Sequence, residues 1–216
     1  MENKVELLSH FGDDLMIVNA ARVSFGKTKT VLDAKDVKLI SYLYEHKHIA
    51  PFRHPQLQFR ITCPIYVERQ LFKHQVGLSA NSISGRYVDF SDSYTEIKQF
   101  RKQSTDSKQG SAEDLYYDLN QEALEIQDGI IRRCKEAYKD LISLGVSKEQ
   151  ARTILPLNLN TTFIWTGSLL AFKHLFDLRL KPDAQEETRN IVKKMLSLVQ
   201  NIEGNPFKDT LLAWGY

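Results

Sequence analysis

Apolar positions along this chain change their period from segment to segment. Between Leu57 and Cys63 they alternate strictly. Leu57, Phe59, Ile61 and Cys63 fall on one side, and Gln58, Arg60 and Thr62 on the other. A period of two marks a half-buried strand, here most simply antiparallel. Elsewhere the first part of the chain reads as helical. Leu15–Val23 is a short apolar helix, and Asp33–His46 is a second, with Val37, Ile40 and Leu43 on one face. Pro51 and Pro55 end helical structure. Pro64 stands where a helix tolerates proline, which predicts a helix over Ile65–Gln75. The longest signal is a seam of Leu115, Leu119, Ala123, Ile126, Ile130, Cys134, Ala137 and Leu141, stepping by threes and fours. Such a seam needs a cover, either the core or a second subunit. Gly145 stops that helix. Ser147–Gln150 has the layout of a capping box opening a short helix that carries Arg152 and ends at Pro156. Leu157–Trp165 is expected to be extended and Ser168–Leu180 helical. Asp183 with Glu186 opens a last helix bearing Ile191, Met195, Leu198 and Ile202.

Helices dominate, and the strands do not alternate with them regularly. The expected class is therefore α+β, helix-rich with a small, mostly antiparallel sheet, in one domain over residues 1–216. One stretch, Ser91–Ala112, is polar and poor in large apolar residues. A segment of that length is expected to lie over a site or to be poorly ordered.

Composition narrows the function. A 42% apolar share supports a packed core, and 29 basic against 27 acidic residues argue against broad coating of nucleic acid. No apolar run approaches the roughly 20 residues needed to cross a bilayer, and the first residues lack a secretion-signal layout. Two cysteines cannot build a disulfide framework or a four-cysteine zinc site. The expectation is a reduced, cytoplasmic protein without membrane or nucleic-acid partners. Cys63 and Cys134 read as core thiols, which disfavours a cysteine nucleophile.

The candidate chemistry is basic. On a helix, Arg69 and Lys73 would share a face, as would Gln70 and His74. Like charges at that spacing are mildly unfavourable, less so if an anion lies between them. The segment beyond Gly77 is small and polar and ends in Ser84-Gly85-Arg86, the parts that hold a phosphate. A solvated basic helix and an ordinary loop would account for the same pattern. Arg152 and Arg179 sit in apolar settings, where Glu149 or Asp177 could pair with them, or where they could face an anionic ligand. His46, His48 and His54 match no standard zinc spacing, and no metal is expected.

Several blocks, in order and over nearly the whole chain, resemble the flavin-dependent thymidylate synthase family. They are Asn19-Ala-Ala-Arg-Val-Ser24, His48-Ile-Ala-Pro-Phe-Arg-His54, the Pro64–Tyr87 signature block, Ala151-Arg-Thr-Ile-Leu-Pro-Leu-Asn158, Trp165-Thr-Gly and Leu178-Arg179. The resemblance implies methylation of dUMP at C5 in a homotetramer with sites between subunits. It also implies FAD, NADPH and 5,10-methylenetetrahydrofolate. By the same resemblance, Gln70, Lys73, Ser84, Gly85, Arg86 and Arg152 would hold dUMP. Arg179 would meet the uracil edge, with Ser84 as the second catalytic candidate. His48, Lys73, His74, Gln75, Asn81, Ser82, Ser168 and His174 would contact flavin. The sequence departs from the family at Lys73-His74-Gln75, which replaces Arg-His-Arg, and at Ser82, Ser168, Leu170 and Ala50. The Lys-His-Gln variant is similar to phage-type members. Most departures fall on the flavin side. This leaves two further readings, a flavin-poor hydroxymethyltransferase acting on dUMP or dCMP and a non-catalytic nucleotide-binding relative.

Overall fold

β2 (Gln56–Pro64) and β6 (Asn160–Ser168) form the centre of a four-stranded antiparallel sheet in the computed structural model, which describes residues 3–89, 91–105 and 110–216. Phe59 pairs with Trp165 and Ile61 with Phe163. β1 (Lys4–Phe11) flanks β2, and β3 (Leu78–Ser82) flanks β6, giving the order β1-β2-β6-β3. The α+β expectation holds, and the strict alternation of β2 buries Leu57, Phe59, Ile61 and Cys63. The first part of the chain is not all helical, however, because β1 opens it. That strand is partly exposed and carries a register shift between Leu7 and Ser9, which breaks its period. β3 was equally hidden. Its Ser, Ala and Asn residues give no apolar alternation, and pairing with β6 is what makes it a strand.

Both central strands run directly into a helix. Pro64 leads into α3 (Ile65–Leu71), and Ser168 leads into α6 (Leu169–Arg179). Phe172 of α6 packs edge-on against Phe59 at 5.1 Å and against Trp165 at 5.6 Å, closing the core. α1 (Asp14–Arg22), α2 (Ala34–Glu45) and α7 (Glu186–Gln200) complete the main layer with Ile17, Ile40, Ile191 and Met195 buried. Val37, expected beside Ile40, is 36% exposed. α7 begins at Glu186, and no side chain caps it, so Asp183 lies in the preceding turn.

α4 (Tyr117–Ser143) is the long helix the seam predicted, and Gly145 follows its end with φ +85°. Its cover is only partial. Asn120, Ile131 and Tyr138 face inward, whereas Leu119, Ile126 and Ile130 of the seam are exposed by 50%, 62% and 47%. The core of this chain therefore does not bury that seam. Cys134 is correspondingly half-buried, not a core thiol. α5 (Lys148–Ala151) forms without the capping hydrogen bond expected of Ser147. The extended segment after Pro156 starts three residues later than Leu157, at Asn160. Part of the polar stretch folds as an antiparallel ribbon of β4 (Arg101–Gln103) and β5 (Ser111–Asp114), and residues 106–109 of it lie outside the described residues.

The chain closes with α8 (Lys208–Ala213), which no periodicity announced. Phe207 precedes it and supplies no capping side chain. The buried Asp14 does so from the other end of the sequence, accepting from the Asp209 and Thr210 amides at 2.7 and 3.2 Å and from the Thr210 hydroxyl at 2.5 Å. This is N-capping by a remote residue.

Candidate functional site

α3 ends earlier than its sequence pattern predicts. Phe72 is its C-cap, and Lys73 and His74 turn back on Gln70 and Leu71 through backbone bonds of 3.4 and 3.0 Å. Lys73, His74 and Gln75 therefore lie in a turn and not on a helical face. Gly77 follows at φ +75°, and a Cβ there would crowd the Ala171 and Ser168 side chains at 3.3 and 3.4 Å. This places the turn against the start of α6.

The last residue of α6 completes the arrangement. Arg179 Nε donates to His74 Nε2 at 3.0 Å, and Nη2 donates to the Gln70 carbonyl at 3.2 Å. Guanidinium is a permanent cation with only donors, so His74 accepts with its Nε2 lone pair and carries its proton on Nδ1. Burial first, and then the Arg179 and His174 charges, hold the His74 pKa below the ordinary histidine range. The partner proposed for Arg179 from sequence is thus corrected. Asp177 instead accepts from Lys173 Nζ at 2.7 and 2.6 Å and from the Tyr216 hydroxyl at 2.6 Å.

Gln70 is committed on both sides of its carboxamide. Its Oε1 accepts from the buried Thr188 hydroxyl at 2.9 Å, and its Nε2 donates to Gln185. Glu68, two residues back, accepts from the Ser82 hydroxyl at 3.0 Å, and burial raises its carboxyl above the ordinary range. Neither Glu68, Gln185 nor Thr188 was singled out from sequence. Gln185 and Thr188 lie more than a hundred positions from Gln70 and Glu68 lies 14 from Ser82, and no local motif signals these pairings.

A second group forms around the Ser84–Tyr87 turn. The Arg86 amide donates to the Ser84 hydroxyl at 3.3 Å, Gly85 is buried, and the exposed Arg86 guanidinium lies 5.2 Å from the Tyr87 ring centroid. Lys148 of α5 donates to the Tyr87 carbonyl at 3.4 Å, which brings this turn to the helix preceding Arg152. Arg152 is exposed, and its Nε donates to the Glu149 carbonyl at 3.3 Å, not to a carboxylate. The expected apolar burial of Arg152 is therefore corrected. Among the described residues no hydrogen bond or ion pair joins this group to the Arg179 group.

The remaining predicted residues divide by commitment. Lys73, Gln75, Asn81 and His174 are exposed or open to solvent, around β3 and α6. Among the described residues β3 pairs only with β6, which leaves its outer edge with unpaired backbone donors and acceptors. Ser168 is withdrawn from that set, because it is buried and its hydroxyl caps α6 on the Ala171 amide at 3.2 Å. His48 lies elsewhere, its ring stacked 6.1 Å from the Tyr42 ring, and among the described residues no hydrogen bond or ring contact joins it to β3. His46 donates to the Tyr42 carbonyl through Nδ1 at 3.0 Å and stacks on the Tyr42 ring. No group of three metal-ligating side chains occurs among the described residues, and none of their helices is long and apolar enough to cross a membrane. The polar ribbon lines a cavity of about 680 Å³, bounded by Arg101 and Ser111 on one side and Asp183, Gln185 and Arg189 on the other.

Comparison with known proteins bears on this arrangement. The model of the thymidylate synthase complementing protein family, Thy1, matches residues 6–203. A flavin-dependent thymidylate synthase of Thermus thermophilus is 41% identical over 197 residues, covering 91% of this chain and 71% of that protein. One from Kosmotoga olearia is 39% identical over 183 residues, covering 85% and 79%. Among solved structures, a UMP/dUMP methylase, PolB, of Streptomyces cacaoi bound with 5-Br dUMP aligns over 99% of this chain and 95% of its own, with TM-score 0.86 and 24% identity. Its complex with 5-Br UMP gives TM-score 0.84 and 23% identity. The structural likeness establishes the fold, and the family match over nearly the whole length establishes descent: the chain belongs to the flavin-dependent thymidylate synthase family.

Proposed function

We propose that the protein transfers a one-carbon unit from 5,10-methylenetetrahydrofolate to C5 of dUMP, yielding dTMP, with a reduced flavin as hydride donor and NADPH as its reductant. The observation that carries this is Arg179, a cation fixed between the neutral His74 ring and the Gln70 carbonyl, with its other N–H donors uncommitted. A preorganised cation at the pyrimidine edge stabilises negative charge developing on the ring and costs no reorganisation as it develops. Cys63 supports a route without a thiolate nucleophile, because burial pushes its thiol up to about 12.

The phosphate of dUMP would be held by Ser84, the turn at the buried Gly85, and Arg86 and Arg152, the last two open to solvent. Lys73 adds a point charge where an arginine fork would grip bidentately. The uncommitted donors along the β3 edge fit an isoalloxazine, with Lys73, Gln75, Asn81 and His174 as holding residues. Bound FAD would supply the hydride that completes the methyl group. Ser82 reaches that set only by leaving Glu68.

A homotetramer would bring the Arg86–Arg152 group of one copy to the Arg179 group of another. The exposed seam of α4 supports that assembly, since Leu119, Ile126 and Ile130 leave a contiguous apolar stripe on one helix face. The reading is tested with purified protein. A flavin spectrum that bleaches on NADPH, and dTMP formed from dUMP and methylenetetrahydrofolate, are the expected results. Protein that takes up no added FAD and forms no dTMP would overturn it, and a hydroxymethyl product would redirect it to the flavin-poor chemistry.

A further inference from the structure

A chain of side-chain hydrogen bonds leads away from Gln70 to the polar ribbon. Gln185 receives the Gln70 Nε2 donor on its Oε1 and donates its own Nε2 to Glu187 Oε2 at 2.8 Å. Glu187 Oε1 accepts from Arg101 Nη2 at 2.6 Å. Arg101 lies in β4, where Ser111 accepts from its Nε at 2.8 Å and Glu186 from its Nη1 at 3.0 Å. Burial would raise the Glu187 carboxyl, but the hydrogen bonds from Arg101 and Gln185 outweigh it and hold the group below the ordinary range, hence ionised.

The order of donors matters here. A primary amide turned by half a rotation keeps its shape and exchanges donor for acceptor. An ionised carboxylate can only accept. Glu187 therefore draws the NH2 group of Gln185 toward itself, which leaves the Gln185 oxygen facing Gln70. That oxygen in turn draws the Gln70 NH2 group, and the Gln70 oxygen is left to accept from Thr188. The same residue's backbone carbonyl receives Arg179. One end of the chain is thus a fixed charge on the ribbon, and the other is the residue on which Arg179 rests.

We propose that Arg101, Glu187 and Gln185 are positioning residues that fix the orientation of the Gln70 carboxamide, so that the ribbon sets the nucleotide affinity of the site. This rests on the reading of Gln70 and Arg179 as part of a pyrimidine-nucleotide site. None of the three touches the reacting atoms. A network serving only stability would move the melting temperature and leave the affinity alone.

The test uses the full chain and dUMP itself, with dissociation constants from calorimetric titration and a melting curve for each variant. Absence of dUMP binding by the unaltered protein would count against the functional reading, and the comparison among variants is made once binding is seen. Glu187→Gln removes the obligate acceptor and lets both amides reverse. The expected result is about tenfold weaker dUMP binding, the scale of one net hydrogen bond. The exchange Glu187→Gln with Gln185→Glu restores an acceptor facing Gln70, and affinity should return to within about threefold of the starting value. Arg101→Ala should weaken binding in the same direction as Glu187→Gln. Unchanged affinity in folded Glu187→Gln, or no recovery in the double exchange, overturns the proposal. Should Glu187→Gln fail to fold, Arg101→Ala decides alone, and unchanged affinity there overturns it too.

Discussion

Replacing Arg179 by alanine perturbs two partners at once, and the structure sets the scale of each effect. The variant loses the 3.0 Å bond to His74 Nε2 and the 3.2 Å bond to the Gln70 carbonyl. A hydrogen bond from a charged donor contributes about 1.5–3 kcal/mol. For a chain of this length each kcal/mol moves the melting temperature by about 2–4 °C, so the fold should survive with a modest shift. His74 should respond more specifically. Its depressed pKa comes from burial, then Arg179, then His174, and the second of these disappears in the variant. Its titration should therefore move up toward the ordinary value. The sign for stability follows from the same shift. A histidine depressed in the folded state binds fewer protons there than in the unfolded chain. Stability then rises with pH up to the ordinary histidine value of about 6.5 and is lost on acidification below it. That acid-sensitive window should narrow in the variant. Turnover should fall by about 10²–10³, the effect of removing one preorganised donor from developing charge, with a smaller loss of dUMP affinity. NMR titration of the His74 ring, melting curves and single-turnover rates measure the three effects. A His74 titration that does not move, or turnover within about threefold of the unaltered protein, would refute the reasoning.

Three further outcomes are expected. Arg86→Ala should weaken dUMP binding by about 2 kcal/mol, the low end for a charged pair because the guanidinium starts exposed; an unchanged dissociation constant in calorimetry would reject its assignment to phosphate. Asp14→Ala strips the cap from α8 and leaves buried donors unpaired, so urea unfolding should show a loss of about 2–4 kcal/mol, and a loss below about 1 kcal/mol would contradict the capping role. Burial lifts the Asp14 carboxyl to about 6 against its hydrogen bonds, so its titration lowers stability as pH rises from the ordinary aspartate value to about 6, a limb the variant should lack. Cys63→Ala should keep most turnover, and in the native protein Cys63 should resist iodoacetamide; rapid alkylation of Cys63 with loss of activity would reinstate it as a chemical group.

Elements whose burial is continuous along one face were readable before any coordinates. The alternation of β2 and the apolar spacing of α2, α6 and α7 mark the faces that meet the core, Val37 of α2 excepted, and each of these elements forms within a few residues of its expected bounds. β1 and β3 escaped because edge strands are half solvated. Hydrogen bonds to one neighbour define them more than an apolar pattern does. α3 was drawn too long because helical spacing continues through His74, whereas the chain turns at Phe72 to meet α6. The α4 seam was visible as a pattern, but only the folded chain showed that its outer face stays uncovered.

The amino-acid sequence by itself determined the class of fold, the family and the basic and polar groups from which a nucleotide site could be built. Tertiary structure decided how those groups are spent. Arg179 meets His74 and not the nearby Asp177, Gln70 is bound by Thr188 and Gln185, and Ser168 caps a helix instead of facing solvent. Propensity and periodicity act over a few residues and reach a local cap such as Ser168 on Ala171, whereas the partners of Arg179 and Gln70 lie more than a hundred positions away and are chosen only when the sheet and its helices close over the core.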